Sequence, residues 1–342
     1  MEKFDVIIVG GGPAGLICAE RLSKSQLSVL LLEKDDVFGD KVCAGGLTRK
    51  DLAILDIPDE IIGHKVHHTS LHSPARFNHT ESPDPMVVTI DRKQLGAWQR
   101  SLLEGTSVTV MHNTRVAEVR KKSVMLDNGD EIGYSSLVGA DGYASLVRRY
   151  LKLPQEKRII GIQYMVPEKE QDTELKVFLD SRYFNAWYGW IFPHKDKISV
   201  GCGCDPRYYS GKRLKKNFHK WLDKMQIDIS NATYESAPIS YDYRGLRFDN
   251  IYLVGDAAGI ASGLTGEGVY QSLVSGIEVA GYIMGQDEES DDLKAVLRYN
   301  RIQEKIMMFL IRIGPLRKIV FELIIMMMRN KRFKNRVNNG FS

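Results

Sequence analysis

The sequence predicts an α/β protein made of a discontinuous lobe with parallel strands, an inserted lobe of mostly antiparallel sheet, and C-terminal helices. A chain of 342 residues exceeds the usual size of a single core, so two lobes are expected. The run from Val6 to Val9 is continuously apolar, which is typical of a strand buried on both faces of a parallel sheet. Two further runs of this kind, residues 136–140 and 250–254, are separated by segments patterned as antiparallel sheet.

A glycine-rich turn, Gly10-x-Gly12-x-x-Gly15, follows the first strand and leads into an apolar helix. The first glycine permits the tight turn, the second lets the backbone approach a pyrophosphate, and the third allows close packing of helix and strand. The helix N-terminus adds unpaired N–H groups and a positive dipole end. Glu33 ends the second strand, 18 residues after Gly15, where a carboxylate can accept hydrogen bonds from both ribose hydroxyls. The first lobe is therefore predicted to be Rossmann-like and to bind an adenine dinucleotide, either FAD or NAD.

The middle of the chain adds a capped helix and many short strands. Asp91 is predicted as the N-cap of a helix over residues 91–104, since its side chain can accept a backbone hydrogen bond. Other predicted elements are strands at 108–111, 114–120, 123–126 and 131–134, antiparallel sheet over 157–200, and helices over 212–225 and 269–284. We assign residues 1–65, 91–155 and 247–290 to the dinucleotide lobe, residues 66–90 and 156–246 to the antiparallel lobe, and residues 291–342 to a C-terminal helical segment with a basic tail.

Five histidines lie close together in the sequence, at positions 64, 67, 68, 72 and 79. Their spacing matches no standard zinc set, and strand alternation would send His67 and His68 to opposite faces. We therefore interpret them as ordinary strand and loop histidines and predict no metal site.

Charge and cysteine content indicate the compartment and the partners. The net charge is +4, but the residues from Arg301 onward include ten Lys/Arg and two Glu, a net +8, so residues 1–300 carry about −4. Met1 leads directly into the first predicted strand, and we see no secretion signal. Four cysteines without paired zinc spacing are typical of a reducing compartment. We expect a cytoplasmic protein and no nucleic-acid partner.

Four separated motifs carry a family resemblance. They are the glycine turn with Glu33, Ala140-Asp141-Gly142 with Arg148, Leu253-Val254-Gly255-Asp256-Ala257-Ala258, and Gly266-Glu267-Gly268. In this order they resemble the FAD-dependent oxidoreductases of the p-hydroxybenzoate hydroxylase fold group. Within that group, the segment Lys41-Val42-Cys43-Ala44-Gly45-Gly46-Leu47 and the motif Tyr188-x-Trp190-x-Phe192-Pro193 resemble the geranylgeranyl reductase family. The resemblance implies FAD as the cofactor.

The resemblance also implies a set of site residues. Those expected to contact FAD are Gly10, Gly12, Ala14, Gly15, Glu33, Cys43, Ala44, Gly46, Arg92, Val116, Asp256, Gly268 and Val269. Cys43 lies in a loop expected near the flavin ring, so it is our candidate catalytic residue, although a free cysteine is also a common apolar filler. The aromatic residues Tyr188, Trp190 and Phe192 are candidates to line the substrate tunnel, with ordinary sheet core as the alternative.

The leading functional hypothesis is saturation of C=C bonds in a prenyl, geranylgeranyl-type lipid by hydride transfer from reduced FAD. One alternative is an FAD-dependent aromatic monooxygenase or halogenase, and another is a non-catalytic prenyl-lipid binding protein. The chain has no second Gly-x-Gly-x-x-Gly unit for a permanent nicotinamide site. We therefore expect an external electron donor, either NAD(P)H or a small redox protein.

The C-terminal segment is apolar and then basic. Residues 306–328 are strongly apolar, but the longest uninterrupted run is the six residues from Leu323 to Met328, far below the ~20 needed to span a bilayer. The basic residues Arg329, Lys331, Arg332, Lys334 and Arg336 follow. A core helix with a frayed tail and an interfacial helix on a membrane surface are the two interpretations. The second would make the protein peripherally membrane-associated.

Overall fold

A computed structural model describes residues 1–167 and 173–328 of the chain. The strands are β1 (Lys3–Val9), β2 (Val29–Leu32), β3 (Gly46–Thr48), β4 (Ile62–Val66), β5 (His68–His72), β6 (Phe77–Glu81), β7 (Val87–Ile90), β8 (Val108–Met111), β9 (Val116–Val119), β10 (Ser123–Leu126), β11 (Glu131–Gly139), β12 (Arg158–Pro167), β13 (Glu174–Phe178), β14 (Gly189–Pro193), β15 (Lys197–Cys204), β16 (Thr233–Ser240), β17 (Arg247–Phe248) and β18 (Ile251–Leu253). The helices are α1 (Pro13–Leu22), α2 (Arg49–Ile54), α3 (Arg92–Ser101), α4 (Leu146–Tyr150), α5 (Ser181–Phe184), α6 (Gly211–Lys224), α7 (Gly255–Ala258), α8 (Val269–Ile283), α9 (Asp291–Arg312) and α10 (Arg317–Met327).

The first sheet carries the glycine turn. Its main path runs β17-β18-β11-β1-β2-β8, and β10 and β9 extend from β11. The pairs β1–β11, β1–β2, β2–β8 and β11–β18 are all parallel. The strand β1 lies between β11 and β2, and Val6, Ile7 and Ile8 are at most 1% exposed, so both faces of the strand are covered, which explains the unbroken apolar run.

The second sheet has seven strands in the order β16-β12-β15-β14-β13-β5-β6. All its neighbours pair antiparallel except β13 and β5. A third, three-stranded antiparallel sheet joins β3, β7 and β4. The second sheet buries its own apolar cluster against α6, α9 and α10, with Trp221, Met307 and Phe321 among the members.

The C-terminal helices α9 and α10 both pack on this second core. A short 3-10 turn, Gly314–Leu316, separates α9 from α10. These helices are buried at Met307, Leu310 and Phe321, whereas Phe309 and Ile319 are more than half exposed. In the described part of the chain, no helix is long and apolar enough to cross a membrane. The predicted basic tail, residues 329–342, lies outside the described residues.

The predicted fold class is confirmed: an α/β lobe with parallel strands stands beside a mostly antiparallel sheet and C-terminal helices. One local prediction was wrong, because residues 131–139 form a single strand where the sequence indicated two. The strand β1 pairs with this segment from Gly133 to Gly139, so a break in the middle would leave backbone groups unpaired. The boundaries of the lobes stay a prediction.

Candidate functional site

The glycine turn closes tightly between β1 and α1. Gly10 has a φ of +110°, and a Cβ there would lie 2.3 Å from the carbonyl oxygen of Ala140, so only glycine fits. A Cβ at Gly15 would lie 2.1 Å from the carbonyl oxygen of Gly10, which explains how the helix packs on the strand. In contrast, no atom of the described residues lies within 4 Å of a Cβ placed at Gly12, and none of their side chains caps α1. The N-terminus of α1 therefore faces open space.

Glu33 lies directly beside this turn. Its Oε2 accepts a hydrogen bond from the N–H of Gly11 over 2.6 Å, and its Oε1 accepts one from Asp35 over 3.0 Å. The side chain is held rigidly and is only 9% exposed. Thr114 donates its N–H to the Glu33 carbonyl over 2.8 Å, which brings the predicted site residue Val116 to the same edge of the sheet.

Asp256 occupies the equivalent position after the strand β18. Its carboxylate is 8% exposed and forms an ion pair with the ammonium group of Lys41. Lys41 was not among the predicted site residues, since a lysine in a loop shows no local sign of its distant partner. The pair brings the start of the Cys43 loop, residues 41–46, to the strand end that carries Asp256.

The rest of the Cys43 loop lies against the second sheet. The side-chain amide of Gln163 donates to the carbonyl of Cys43 over 3.1 Å, and His194 Nε2 contacts the carbonyl of Ala44 at 3.0 Å. Since a carbonyl only accepts, Nε2 carries the proton, and burial lowers the pKa of His194, so its ring is neutral. A Cβ at Gly46 would lie 2.7 Å from the ring of Phe192. The backbone of the loop is thus pressed onto an aromatic surface.

That surface is one face of β14. Tyr188, Trp190 and Phe192 are every second residue of this segment, and all three are half-buried. The ring centroids of Tyr188 and Trp190 are 6.0 Å apart, and those of Trp190 and Phe192 are 6.5 Å apart. The hydroxyl of Tyr188 donates to the carbonyl of Thr265, and Trp187 Nε1 donates to Gly263 over 3.1 Å. These bonds join β14 to the glycine-rich loop of residues 263–268.

The glycine-rich loop leads into α8, whose N-cap, Gly268, offers no side-chain cap. Val269 is the first helical residue. Further along, a Cβ at Gly276 would lie 2.4 Å from the carbonyl oxygen of Ala14, so α8 packs closely on α1. The N-termini of the two helices are therefore held on one side of the first sheet.

Two ionisable groups near this loop, the half-buried Glu267 and the buried Asp51, were missed by sequence reasoning. Burial, and then the neighbouring Asp51 carboxylate, raise the pKa of Glu267, against a smaller lowering by Lys50. Burial likewise raises the pKa of Asp51, which is only 2% exposed. The sequence around Glu267 does not reveal this environment, because the neighbouring carboxylate, that of Asp51, comes from the distant helix α2.

Arg92 begins α3 and is 9% exposed. Among the described residues, no hydrogen-bond partner is found for its buried Nε. A buried guanidinium nitrogen without a partner is costly unless a further group pairs with it. With the open space before α1 and the carboxylates of Glu33 and Asp256, this orphaned donor fits a bound dinucleotide.

The remaining cysteines do not join the site. All four cysteines are free thiols. Burial raises the pKa of Cys204 to about 12 and that of Cys202 well above its ordinary value. Both thiols stay protonated near neutral pH, whereas Cys43 is half-buried in its loop.

The chain is similar in sequence to a known protein family and to several reductases. Residues 5–196 match the family model described as lycopene cyclase protein. The chain is 28% identical to digeranylgeranylglycerophospholipid reductase 2 of Methanopyrus kandleri, over 86% of this chain and 80% of that protein. It is 27% identical to geranylgeranyl diphosphate reductase of Rhodobacter capsulatus, over 80% and 73% of the two chains.

Solved structures share the fold. A geranylgeranyl bacteriochlorophyll reductase-like protein from Thermoplasma acidophilum superimposes with a TM-score of 0.80 at 20% identity, covering 97% of this chain and 92% of that one. The p-nitrophenol 4-monooxygenase of Pseudomonas putida superimposes with a TM-score of 0.76 at 15% identity, covering 100% and 98%. The resemblance predicted from the sequence motifs is confirmed by these matches.

Proposed function

The chain belongs to the lycopene cyclase protein family, and from that premise we propose that it saturates C=C bonds of a prenyl, geranylgeranyl-type lipid by hydride transfer from reduced FAD. It is an FAD-dependent oxidoreductase resembling the geranylgeranyl reductases. The family description names a cyclase, but the two relatives that cover 86% and 80% of this chain are named reductases, so we propose reduction.

The observation that carries the proposal is the meeting of three segments at one place. The Cys43 loop, the aromatic face of β14 and the loop of residues 263–268 are joined by the bonds from Gln163, His194, Trp187 and Tyr188. An apolar wall of rings beside the Cys43 loop suits a hydrocarbon chain. It does not suit a charged or strongly polar substrate.

The chain is proposed to hold FAD along the first sheet. The proposed contacts are Gly10, Gly12, Ala14, Gly15, Glu33, Cys43, Ala44, Gly46, Arg92, Val116, Asp256, Gly268 and Val269. When bound and reduced, FAD would supply the hydride for one carbon of the alkene, and a proton would be needed at the other carbon to complete the saturation. The electrons are proposed to come from NAD(P)H or from a small redox protein.

The protein's own groups would then hold the substrate and the proton. Tyr188, Trp190 and Phe192 would pack against the prenyl chain and exclude water, which keeps the reacting carbons in one orientation. The Cys43 thiol would position the alkene or supply the proton at Sγ. The carboxyl of Glu267 is a second candidate to hold the proton, because burial and the neighbouring Asp51 raise its pKa.

The proposal is tested by incubating the dithionite-reduced full chain with geranylgeranyl lipids in the absence of oxygen. We expect products heavier by two hydrogens for each double bond, identified by mass spectrometry. A monooxygenase is the second candidate, because p-nitrophenol 4-monooxygenase shares the fold. It is favoured instead if turnover needs oxygen and adds an oxygen atom. Purified protein without bound flavin would favour a non-catalytic prenyl-lipid binding protein.

The C-terminal helices α9 and α10 are proposed to lie on a membrane surface. Phe309, Leu316, Ile319 and Met326 are 54%, 59%, 57% and 47% exposed, which is unusual for a row of large apolar side chains. Arg312 and Lys318 lie among them and would meet anionic lipid headgroups. This placement would give a lipid substrate a route into the site from the bilayer.

A further inference from the structure

We propose that His68, His79 and Glu81 bind a divalent transition-metal ion of the zinc type at the edge of the second sheet. This site is separate from the proposed reductase site and does not depend on it. The side chains come from the hairpin of β5 and β6, and β6 is the last strand of the sheet.

Cross-strand register brings the three residues together. His68 pairs directly with Glu81, and Ser70 pairs with His79. Since side chains alternate between faces, His68, His79 and Glu81 all project from the same face. One ligand atom from each lies within 4.8 Å of the other two. In a tetrahedral site with bonds near 2.1 Å, such atoms are about 3.4 Å apart, so the exposed ends of the side chains need to close by at most about 1.4 Å.

The orientation of His79 is that of a metal ligand. Its Nδ1 contacts Glu174 Oε1 at 2.8 Å, and because a carboxylate only accepts, Nδ1 carries the proton. The metal-binding lone pair then belongs to Nε2. Histidine ligands in metalloproteins characteristically donate their other ring N–H to a carboxylate in this way. The rings of His68 and His79 have centroids 5.6 Å apart, a distance at which one ion can contact a nitrogen of each.

Glu174 also completes the charge balance. It lies on β13 and pairs in register with His68, so Glu174, His68 and Glu81 form one row across three strands. Two carboxylates would offset the charge of a divalent cation. Two imidazoles with one carboxylate favour zinc-type ions over Ca²⁺ or Mg²⁺, which prefer all-oxygen sites. Three protein ligands leave a fourth position for water.

Binding of the metal ion would link the edge strand β6 to strands nearer the middle of the second sheet. The ion bridges β5 and β6 directly, and the bond between Glu174 and His79 extends the connection to β13. Edge strands lack a partner on one side and open more readily than central ones. The expected result is a more stable β5–β6 hairpin when the metal is bound.

The test is titration of the tag-free, chelator-treated full chain with Zn²⁺ by calorimetry, and with Co²⁺ by visible absorption. We expect one equivalent of Zn²⁺ to bind and a Co²⁺ spectrum of tetrahedral type. His79→Ala should weaken Zn²⁺ binding at least tenfold. Glu174→Gln, which removes only the orienting carboxylate, should weaken it about tenfold. The control is His112→Ala, a half-exposed histidine beside Asp36 on the other lobe, which should leave Zn²⁺ binding unchanged.

Two outcomes overturn the proposal. One is a His68→Ala/His79→Ala double variant that binds Zn²⁺ with the affinity and stoichiometry of the wild type. The other is a wild-type chain that takes up no stoichiometric Zn²⁺ below about 1 mM, a level at which structural zinc sites are long saturated. If the histidine variants fail to fold by circular dichroism, Glu81→Gln, at an exposed position, provides the same comparison and should weaken binding.

Discussion

The side-chain amide of Gln163 donates a hydrogen bond to the backbone carbonyl of Cys43 over 3.1 Å, although 120 residues separate the two in sequence. The same amide nitrogen donates to Glu235 Oε2 over 2.7 Å, and the amide oxygen accepts from Ser199 over 3.0 Å. The position of the Cys43 loop therefore depends on a buried polar network within the second sheet.

Replacing Gln163 with methionine should lower kcat about tenfold while FAD content stays at the wild-type level. The substitution keeps the approximate volume but leaves the Cys43 carbonyl without its donor, and an unpaired buried polar group costs about 1–3 kcal/mol. The loop would relieve that cost by shifting. Turnover and flavin content are measured side by side, with Gln286→Met, at an exposed glutamine, as the control. Wild-type turnover in Gln163→Met would show that the bond does not position Cys43 for catalysis.

Glu33→Ala should reduce FAD occupancy by roughly tenfold or more. Charge-assisted hydrogen bonds to ribose hydroxyls contribute about 1.5–3 kcal/mol each, and 1.4 kcal/mol corresponds to a factor of ten in affinity. The measurement is the flavin-to-protein ratio after dialysis, followed by titration of the apoprotein with FAD. Glu104→Ala is the matched control, since that side chain lies just beyond the end of α3 and is 63% exposed. An unchanged ratio in Glu33→Ala would remove Glu33 from the cofactor site.

Cys43→Ala should lower the rate of alkene saturation by about a hundredfold if the thiol supplies the proton, the usual scale of acid catalysis. Cys43→Ser retains a proton donor of similar size and should recover part of the rate. If the thiol only positions the substrate, both variants should instead raise KM and leave kcat within a few-fold. Equal kinetics in all three proteins would assign Cys43 to packing.

The rate should fall as pH rises if Glu267 delivers the proton. An acid must be protonated to donate, so activity is highest below its pKa and is lost as pH passes through it. Because burial and Asp51 raise the pKa of Glu267, this loss should occur above the ordinary range of a glutamate. The amide side chain of Glu267→Gln cannot titrate, so this variant should have a lower rate that does not fall further as the pH rises. The control is Glu156→Gln, because Glu156 is 68% exposed, and it should keep the fall in rate of the wild type. A pH profile identical to wild type in Glu267→Gln would exclude the role.

A Leu316→Glu/Ile319→Glu double variant should bind anionic vesicles at least tenfold more weakly than the wild type. Both side chains are more than half exposed, so the change adds charge to the proposed membrane face without disturbing the core. Truncation near Gly314 is less suitable, since it would remove Phe321 from the second core. The measurement is co-sedimentation with phosphatidylglycerol vesicles, with Leu102→Glu, at the exposed C-cap of α3, as control. Equal sedimentation of wild type and double variant would contradict membrane binding.

Local chemistry allowed much of the fold to be predicted from the sequence. The N-cap at Asp91 accepts from Lys93 N as expected, because capping depends on residues only two positions apart. The turn at Gly10 is likewise local, since its positive φ and the carbonyl of Ala140 leave no room for a side chain. The grouping of His68 and His79 with Glu81, in contrast, could not be predicted from local sequence. Their spacing predicted no metal set, and the cluster with Glu81 exists only through the register of β5 and β6.

The sequence by itself determined the glycine turn, the order of strands and helices, and the family resemblance, since each depends on residues adjacent in the chain or on motifs that keep their order. The tertiary structure alone decided that Lys41 pairs with Asp256, that Tyr188 donates to Thr265, and that Asp51 lies near Glu267. These contacts join residues tens to hundreds of positions apart. They form because strand register and helix packing place the side chains together, and neither is encoded in any single segment.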